Sequence, residues 1–160
     1  MIRGLLLVLL AACASSATAP PPPKPDRVLA EIEALTALDG APIGGANGQP
    51  TIVVVFASWC PHCRHELELL ETIRHERPTL RIIGLNAYER FAELSDEETL
   101  RGWLAAHAPW LRVAVGDHLL PKMGGVPKIP TLFLYDPRGR LITQTRVATL
   151  DDLRREVAKL

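Results

Sequence analysis

The sequence predicts one α/β domain in which a central mixed β-sheet is flanked by helices. The run Thr51–Ala57 is apolar and rich in β-branched residues, which is typical of a strand covered on both faces. A helical pattern and a second apolar run, Leu80–Leu85, follow it. This alternation predicts a parallel β-α-β unit with a right-handed crossover. Near the carboxyl end, Leu132–Tyr135 and Arg140–Val147 flank a turn and predict a hairpin.

The length and the charge of the chain limit which classes of function fit the sequence. The chain has 160 residues, which suits one domain with a hydrophobic core and is too few for two ordinary domains. Eighteen basic and eighteen acidic residues give a formal net charge of zero. This balance argues against a nucleic-acid partner and against a polybasic membrane surface.

The first twelve residues form a secretory signal pattern. Arg3 precedes the apolar run Leu5–Leu10, which is too short to span a bilayer and ends in small residues. We therefore interpret residues 1–12 as a signal peptide. The residues leading to Cys13 read Leu-Ala-Ala-Cys and resemble the bacterial lipobox, in which the cysteine is lipidated and becomes the mature amino terminus. The alternative is an ordinary signal peptide followed by an unrelated cysteine.

Residues 13–25 are expected to form the lipidated cysteine and a tether. The segment is rich in small residues and ends in a proline-rich stretch, which favours an extended, semi-rigid chain. Ala14 stands where the lipobox resemblance would place aspartate in an inner-membrane lipoprotein. The resemblance therefore implies a lipid-anchored protein of the bacterial envelope that faces the periplasm, with the outer membrane slightly favoured.

Residues 26–160 are predicted to form the folded domain. Its first element is an amphipathic helix over Asp26–Leu38, followed by glycine-rich turns. The helix that follows the first predicted strand is expected to end before Pro78. Ser95 and Glu98 have the spacing of a capping box and predict the start of another helix.

Two shorter elements complete the predicted domain. Leu111–Val115 is a candidate short strand. Thr149 is the expected N-cap of a last helix, which directs Leu150, Leu153 and Val157 inward.

The turn after the first predicted strand carries two cysteines separated by two residues. Proline is well tolerated at the first position of a helix, so Pro61 places Cys60 at the N-cap. There its sulfur can face the free N–H groups of His62 and Cys63 and the positive end of the helix dipole. This environment favours thiolate over thiol. We predict that Cys60 is the exposed, attacking sulfur and that Cys63, one turn further in, resolves the mixed disulfide.

Three neighbours are expected to tune this pair. An imidazolium at His62 would further stabilise the charge on the Cys60 sulfur, and Pro61 belongs to the same redox-tuning turn. Trp59 is expected to be a partly exposed shield over the disulfide, with simple packing as the alternative.

The segment Phe56–Cys63 resembles the active-site turn of the thioredoxin superfamily, in particular the extracytoplasmic TlpA/ResA-like thiol-disulfide oxidoreductases. The Pro-His pair within it is similar to that of DsbA-type oxidases. The resemblance extends over about three quarters of the chain and includes a weaker match at Leu38–Gly40. It implies a thioredoxin-like fold and a redox-active Cys60–Cys63 disulfide, with no further cofactor.

Glu66 lies three residues after Cys63, on the same helical face. A glutamate at this offset resembles the acid of ResA-like proteins and implies a group that moves a proton on or off Cys63. The alternative is a solvated helix glutamate.

Two positions depart from the family pattern. Glu68 stands where proline is usual, and Val54 stands where thioredoxin has a buried aspartate that accepts a proton.

The segment Ile129-Pro130-Thr131 resembles the cis-proline loop that faces the two-cysteine turn across this fold. The resemblance implies a cis bond before Pro130 and a backbone at Ile129 that pairs with an extended substrate. Taken alone, the tripeptide would favour a trans proline ahead of an edge strand.

Metal binding is the main alternative role for the cysteines, and a purely structural disulfide is the other. A zinc site would need four ligands, and the sequence has no second cysteine pair. A copper-binding metallochaperone of the same fold could use Cys60, Cys63 and either His62 or His65, although such chaperones carry a three-residue spacer between the cysteines. We expect no metal here, and we interpret four histidines as surface residues, namely His65, His75, His107 and His118.

The sequence thus predicts a monomeric protein thiol-disulfide oxidoreductase. Its expected partners are protein thiols or disulfides and a membrane or periplasmic redox partner. Pro61 and His62 favour the reduced state and hence an oxidant. The TlpA/ResA-like resemblance implies a reductant that serves cytochrome c maturation or another thiol client, and this direction is slightly favoured.

Overall fold

The computed structural model describes residues 26–93, 95–126 and 128–160. The predicted signal peptide and tether, with the lipidation site Cys13, lie outside these described residues. So does Pro127, which precedes the predicted cis-proline loop.

The described residues form a five-stranded mixed sheet with strand order β3-β2-β1-β4-β5. β1, β2 and β3 are parallel, whereas β4 is antiparallel to both β1 and β5. The predicted parallel unit and the predicted hairpin are therefore both confirmed. The strands are β1 Thr51–Phe56, β2 Arg81–Asn86, β3 Arg112–Val115, β4 Thr131–Tyr135 and β5 Leu141–Thr145.

Helices pack on both faces of this sheet, and two further segments form 3-10 turns. The α-helices are α1 Arg27–Glu33, α2 Pro61–Glu76, α3 Glu97–His107 and α4 Leu150–Val157. The 3-10 segments are Phe91–Glu93 and Asp117–Met123. Neither 3-10 segment was predicted, because each is short and lacks the repeated apolar spacing that indicates an α-helix.

The side chains of β1 alternate between two core layers. Ile52, Val54 and Phe56 pack with α2, α3 and α4, whereas Val53 and Val55 pack with α1 and the second 3-10 segment. Every residue of β1 is buried. The prediction of a strand covered on both faces is confirmed, and β1 is the centre of the sheet.

The strand register brings three loops to one end of the sheet. Val55 pairs with Thr131 at the start of β4, and Phe56 pairs with Asn86 at the end of β2. The segments after β1, after β2 and before β4 are consequently neighbours. The two-cysteine turn and the Ile129-Pro130 loop meet at this end.

The predicted first helix is too long. α1 ends at Glu33, and the segment predicted to continue it instead forms a small hairpin. The N–H of Ile43 donates to the carbonyl of Leu35, and the N–H of Ala37 donates to the carbonyl of Ala41. These backbone groups are therefore used across a turn and cannot extend the helix.

The predicted capping box at Ser95 is also wrong. The N-cap of α3 is Asp96, whose carboxylate accepts a hydrogen bond from the N–H of Thr99 at 2.8 Å. The hydroxyl of Ser95 instead lies 3.1 Å from the hydroxyl of Ser58. The predicted cap of the last helix is correct, since Thr149 Oγ1 accepts from the N–H of Asp152.

Candidate active site

Cys60 is the N-cap of α2, as predicted. Its backbone is extended, α2 begins at Pro61, and its sulfur accepts a hydrogen bond from the N–H of Cys63 at 3.3 Å. In the described structure the N–H of His62, which was also expected to face the sulfur, makes no hydrogen bond to it. Both cysteines are free thiols. The helix start thus offers one N–H group and the positive end of the helix dipole to the Cys60 sulfur.

The predicted exposure of Cys60 is wrong. The residue is only 5% exposed, and Cys63 is fully buried. The carbonyl oxygen of Ile129 lies 3.9 Å from the Cys60 sulfur. Cys60 remains the more accessible of the two cysteines, so the predicted order of attack and resolution is compatible with the geometry.

The bond between Ile129 and Pro130 is cis, as the resemblance implied. Ile129 is half-buried and packs against both core layers. Thr131 Oγ1 donates to the carbonyl of Lys128 at 2.7 Å, and the guanidinium of Arg146 donates to the carbonyl of Pro130 at 3.1 Å. Side-chain contacts therefore hold the loop in place from both ends.

Glu66 is buried, which contradicts the alternative interpretation that it is a solvated helix glutamate. The residue is 2% exposed, and its Oε1 has no hydrogen-bond partner among the described residues. Burial raises the pKa of Glu66 to about 7, and the positive charge of Arg146 acts in the opposite direction. This carboxyl group therefore changes its charge near neutral pH.

The pKa of the Cys63 thiol is shifted by its surroundings, including Glu66. Burial raises the pKa of the Cys63 thiol strongly, and its hydrogen bond with Cys60 and the charge of Glu66 act in the same direction. Val54, in the core layer of the two cysteines, is fully buried and carries no ionisable group. The charge of Glu66 is thus one of the causes of the raised pKa of Cys63, and a role for Glu66 in proton transfer stays a prediction.

Trp59 is half-buried and makes two specific contacts. Its Nε1 donates to the carbonyl of Tyr88 at 2.8 Å, and its ring stacks on Phe91 with centroids 5.8 Å apart. Phe91 is 61% exposed and lines a cavity of about 470 Å³. Trp59, the residue before Cys60, is therefore part of an aromatic pair whose second ring is exposed.

Sequence reasoning missed a buried carboxylate beside this turn. Glu89 is 6% exposed and accepts hydrogen bonds from the N–H of Ser58 at 3.0 Å, from the hydroxyl of Ser58 and from the amide of Asn86 at 2.6 Å. The signal that could have indicated it is Asn86, a polar residue at the end of a strand parallel to β1. Loops that follow neighbouring parallel strands meet at one edge of the sheet.

The copper alternative lacks a third ligand in the described part of the chain. His62 and His65 are exposed, and His65 lies 3.9 Å from Glu68. Among the described residues, no three histidine, cysteine or acidic side chains are grouped so that they could hold a metal ion. The geometry around Cys60 and Cys63 thus gives no support to a metallochaperone.

Solved structures share this arrangement of strands and helices. A secreted disulfide oxidoreductase of Mycobacterium tuberculosis superposes with a TM-score of 0.66 at 23% identity, covering 84% of this chain and 99% of that protein. A thioredoxin-like protein of Aeropyrum pernix gives a TM-score of 0.68 at 19% identity and covers 84% and 94%. The fold is thioredoxin-like. The predicted fold class is confirmed.

Sequence comparison finds relatives of two kinds. The thiol:disulfide interchange protein DsbE of Tatumella citrea is 34% identical over 114 residues, which cover 71% of this chain and 56% of that protein. Human nucleoredoxin is 30% identical over 126 residues, covering 73% of this chain and 26% of that protein. The chain thus spans about half the length of DsbE and a quarter of nucleoredoxin. No family model matches the chain.

These comparisons indicate that the chain has a thioredoxin-like fold and is similar in sequence to DsbE proteins. They leave several predictions untested. The TlpA/ResA-like subtype, the lipid anchor, the monomeric state and the direction of electron flow stay predictions. The same holds for the roles of all the predicted site residues, namely Cys60, Cys63, Glu66, Pro61, His62, Trp59 and the Ile129-Pro130-Thr131 loop. No helix in residues 26–93, 95–126 and 128–160 has both the length and the apolar character needed to cross a bilayer.

Proposed function

We propose that this protein is a thiol-disulfide oxidoreductase that reduces disulfides in extracytoplasmic proteins. The observation that carries the proposal is the arrangement of two thiols on the first turn of α2. The Cys60 sulfur faces the N–H of Cys63 and the carbonyl of Ile129, and buried Glu66 lies one turn after Cys63. The relationship to DsbE over 71% of the chain supports the same reaction class.

The reaction begins at Cys60. Its thiolate attacks one sulfur of a client disulfide, so that a Cys60–client bond forms while the client S–S bond breaks and its other sulfur leaves as a thiolate. The N–H of Cys63 and the helix dipole stabilise the attacking thiolate.

Resolution requires the Cys63 thiol to lose its proton. Because the pKa of Cys63 is strongly raised, a nearby base is needed, and ionised Glu66 accepts this proton. The Cys63 thiolate then attacks the Cys60 sulfur, the Cys60–client bond breaks, and the second client sulfur leaves and is protonated. Two electrons have passed to the client, and Cys60 and Cys63 form a disulfide. A dithiol redox partner in the membrane or periplasm returns the two electrons.

The client is held beside Cys60 by backbone pairing. In this proposal an extended segment adds to the chain at Ile129, with Pro130 and Thr131 setting the course of that loop. The Trp59–Phe91 pair and the cavity beside it receive a side chain that flanks the client cysteine. Pro61 and exposed His62 tune the Cys60 sulfur from the solvent side.

The cellular setting follows from the amino-terminal sequence. Lipidation at Cys13 would attach two or three acyl chains, which hold a protein firmly to a membrane. The proline-rich tether would then present the domain to periplasmic clients. By the TlpA/ResA-like resemblance, these clients include thiols required for cytochrome c maturation.

Trapping of the mixed disulfide tests the proposal. In a Cys63→Ser variant the resolving sulfur is absent, so Cys60 should remain bonded to client proteins in cell-envelope extracts. These adducts should disappear on addition of dithiothreitol and should be absent from the Cys60→Ser, Cys63→Ser double variant. A Cys63→Ser variant that retains no reducible adduct contradicts the proposal.

A further inference from the structure

We infer that Glu89 is a positioning residue that holds the segment carrying Trp59 and Cys60 in its reactive place. The inference rests on the proposed function, because it assigns Glu89 a part in the same thiol exchange. Glu89 lies outside the two-cysteine turn and belongs to the loop that follows β2. Its carboxylate reaches across to the loop that follows β1.

The carboxylate of Glu89 connects the two loops through three donors. Oε2 accepts from the N–H of Ser58 at 3.0 Å and from the amide of Asn86 at 2.6 Å, and Oε1 accepts from the hydroxyl of Ser58. Glu89 and Ser58 are both nearly inaccessible to solvent, and Asn86 is fully buried. Bonds between buried partners in which one is charged are short and strongly directional. Ser58 is therefore fixed two residues before Cys60.

The same loop contacts both halves of the active site. The carbonyl of Tyr88 accepts from Trp59 Nε1 at 2.8 Å, and the Tyr88 hydroxyl donates to the carbonyl of Val126 at 2.6 Å. Val126 lies shortly before Ile129, whose carbonyl faces the Cys60 sulfur. The loop that Glu89 anchors thus bridges the two-cysteine turn and the cis-proline loop, and it fixes their separation.

The chemistry of the neighbours indicates what a substitution would do. A carboxylate offers acceptors only, which suits the three donors that converge on it. An alanine at this position would leave the buried N–H of Ser58 without a partner. It would leave the Ser58 hydroxyl only its contact with the Ser95 hydroxyl at 3.1 Å, and the Asn86 amide only its long bond to the carbonyl of Phe56 at 3.4 Å. A glutamine could retain an acceptor for Ser58. Asn86 could rotate so that its Oδ1, which has no partner among the described residues, accepts from the introduced amide.

A matched control exists at the opposite end of the sheet. Asp136 is likewise buried and accepts from the N–H groups of Arg138 and Arg140 at 2.9 and 3.0 Å and from Arg140 Nε at 2.7 Å. It lies in the turn between β4 and β5, away from the cysteines. Glu89→Ala and Asp136→Ala each remove a buried acidic side chain that accepts three hydrogen bonds, but only the first touches the active-site segment.

The test compares the full chain with its Glu89→Ala, Glu89→Gln and Asp136→Ala variants. Two rates are measured at pH 7 on the folded fraction. These are iodoacetamide alkylation of Cys60 and mixed-disulfide formation with a disulfide-linked model peptide. We expect Glu89→Ala to slow both by about tenfold or more, because a misplaced reacting group loses its orientation. Glu89→Gln should stay within about threefold of the wild type and Asp136→Ala within about twofold.

Equal rates for Glu89→Ala and Asp136→Ala would overturn the inference. If Glu89→Ala does not fold, Ser58→Ala decides. It keeps the backbone N–H bond to Glu89, removes the contacts of the hydroxyl with Glu89 and Ser95, and should slow both rates several-fold. Unchanged rates in Ser58→Ala would then contradict the inference. A wild-type chain that forms no mixed disulfide refutes the proposed function. In that case the ratio of the Cys60 alkylation rates in Glu89→Ala and Asp136→Ala still tests the positioning role of Glu89.

Discussion

The Cys60 sulfur lies 3.9 Å from the carbonyl oxygen of Ile129, although 69 positions separate the two residues in the chain. The antiparallel pairing of β1 and β4 produces this contact, because the end of β1 lies beside the start of β4. The sulfur is thereby shielded on one side, while Cys63 lies behind it in the core. A client that pairs with the Ile129 backbone would place its own sulfur next to Cys60.

The two cysteines should differ strongly in reactivity. At pH 7 we expect iodoacetamide to modify Cys60 about a hundredfold faster than Cys63, because Cys63 is fully buried and its pKa is strongly raised. Peptide-level mass spectrometry of briefly alkylated, fully reduced protein measures both rates. Equal rates, or faster modification of Cys63, would contradict the assigned order of attack.

Glu66→Gln should slow the resolving step. The pKa of Glu66 is about 7, so the rate of resolution should rise as the pH increases through this value and Glu66 becomes able to accept a proton. Without the carboxylate, the rate should fall by about a hundredfold and lose this inflection. Rapid-quench measurement of client release from a preformed mixed disulfide, repeated across pH, reports both effects.

Glu68→Gln is the matched control for this measurement. Glu68 lies on the same helix but is exposed and pairs with Arg64 at 3.3 Å. Its replacement should leave the rate and the inflection unchanged. A Glu66→Gln variant with the wild-type pH profile would show that another group moves the proton.

Glu66 should also lower the stability of the domain at high pH. Its pKa is raised from 4.5 to about 7 by burial, so the folded state binds more protons than the unfolded state between these values. The free energy of unfolding should therefore fall as the pH rises through this range and level off above about 7. Glu66→Gln should remove this fall, which amounts to roughly 3 kcal/mol between pH 4 and pH 8. Urea unfolding of both proteins at the two pH values measures it, and parallel pH dependences would contradict the buried, uncharged state of Glu66.

Arg146→Ala should move the inflection to higher pH. The charge of Arg146 favours the ionised form of Glu66, so its removal should raise the pKa of Glu66 above about 7. The same resolution assay detects the shift. Arg138→Ala, which removes an exposed arginine at the distant β4–β5 turn, should leave the inflection in place. A shift to lower pH in Arg146→Ala would contradict the assigned electrostatics.

The sequence was most informative where local patterns decide the structure. The apolar run of β1, the proline after Cys60 and the spacing of α2 predicted the strand, the N-cap and the helix. The resemblance to a known loop predicted the cis bond before Pro130. These features depend on residues that are close together in the chain.

Features that depend on long-range contacts were missed or misjudged. The burial of Cys60 comes from the loop at Ile129, and the N-cap of α3 shifted to Asp96 because Ser95 contacts Ser58 instead. The network around Glu89 joins residues 31 positions apart, which no local pattern indicates. The burial of Glu66 also depends on the tertiary fold, because its helical spacing alone was compatible with a solvated glutamate.

The reduction potential of the Cys60–Cys63 couple tests the central claim most directly. The protein would be equilibrated with glutathione buffers of known potential, and its reduced fraction would be counted by alkylation. We predict a two-electron couple at about −270 mV or below, as in thioredoxin, which would make the protein a disulfide reductant that needs a dedicated electron source. A potential near that of DsbA, about −120 mV, would make it a disulfide donor and contradict the proposed direction. Failure of Cys60 and Cys63 to form a disulfide with each other would contradict the proposed reaction itself.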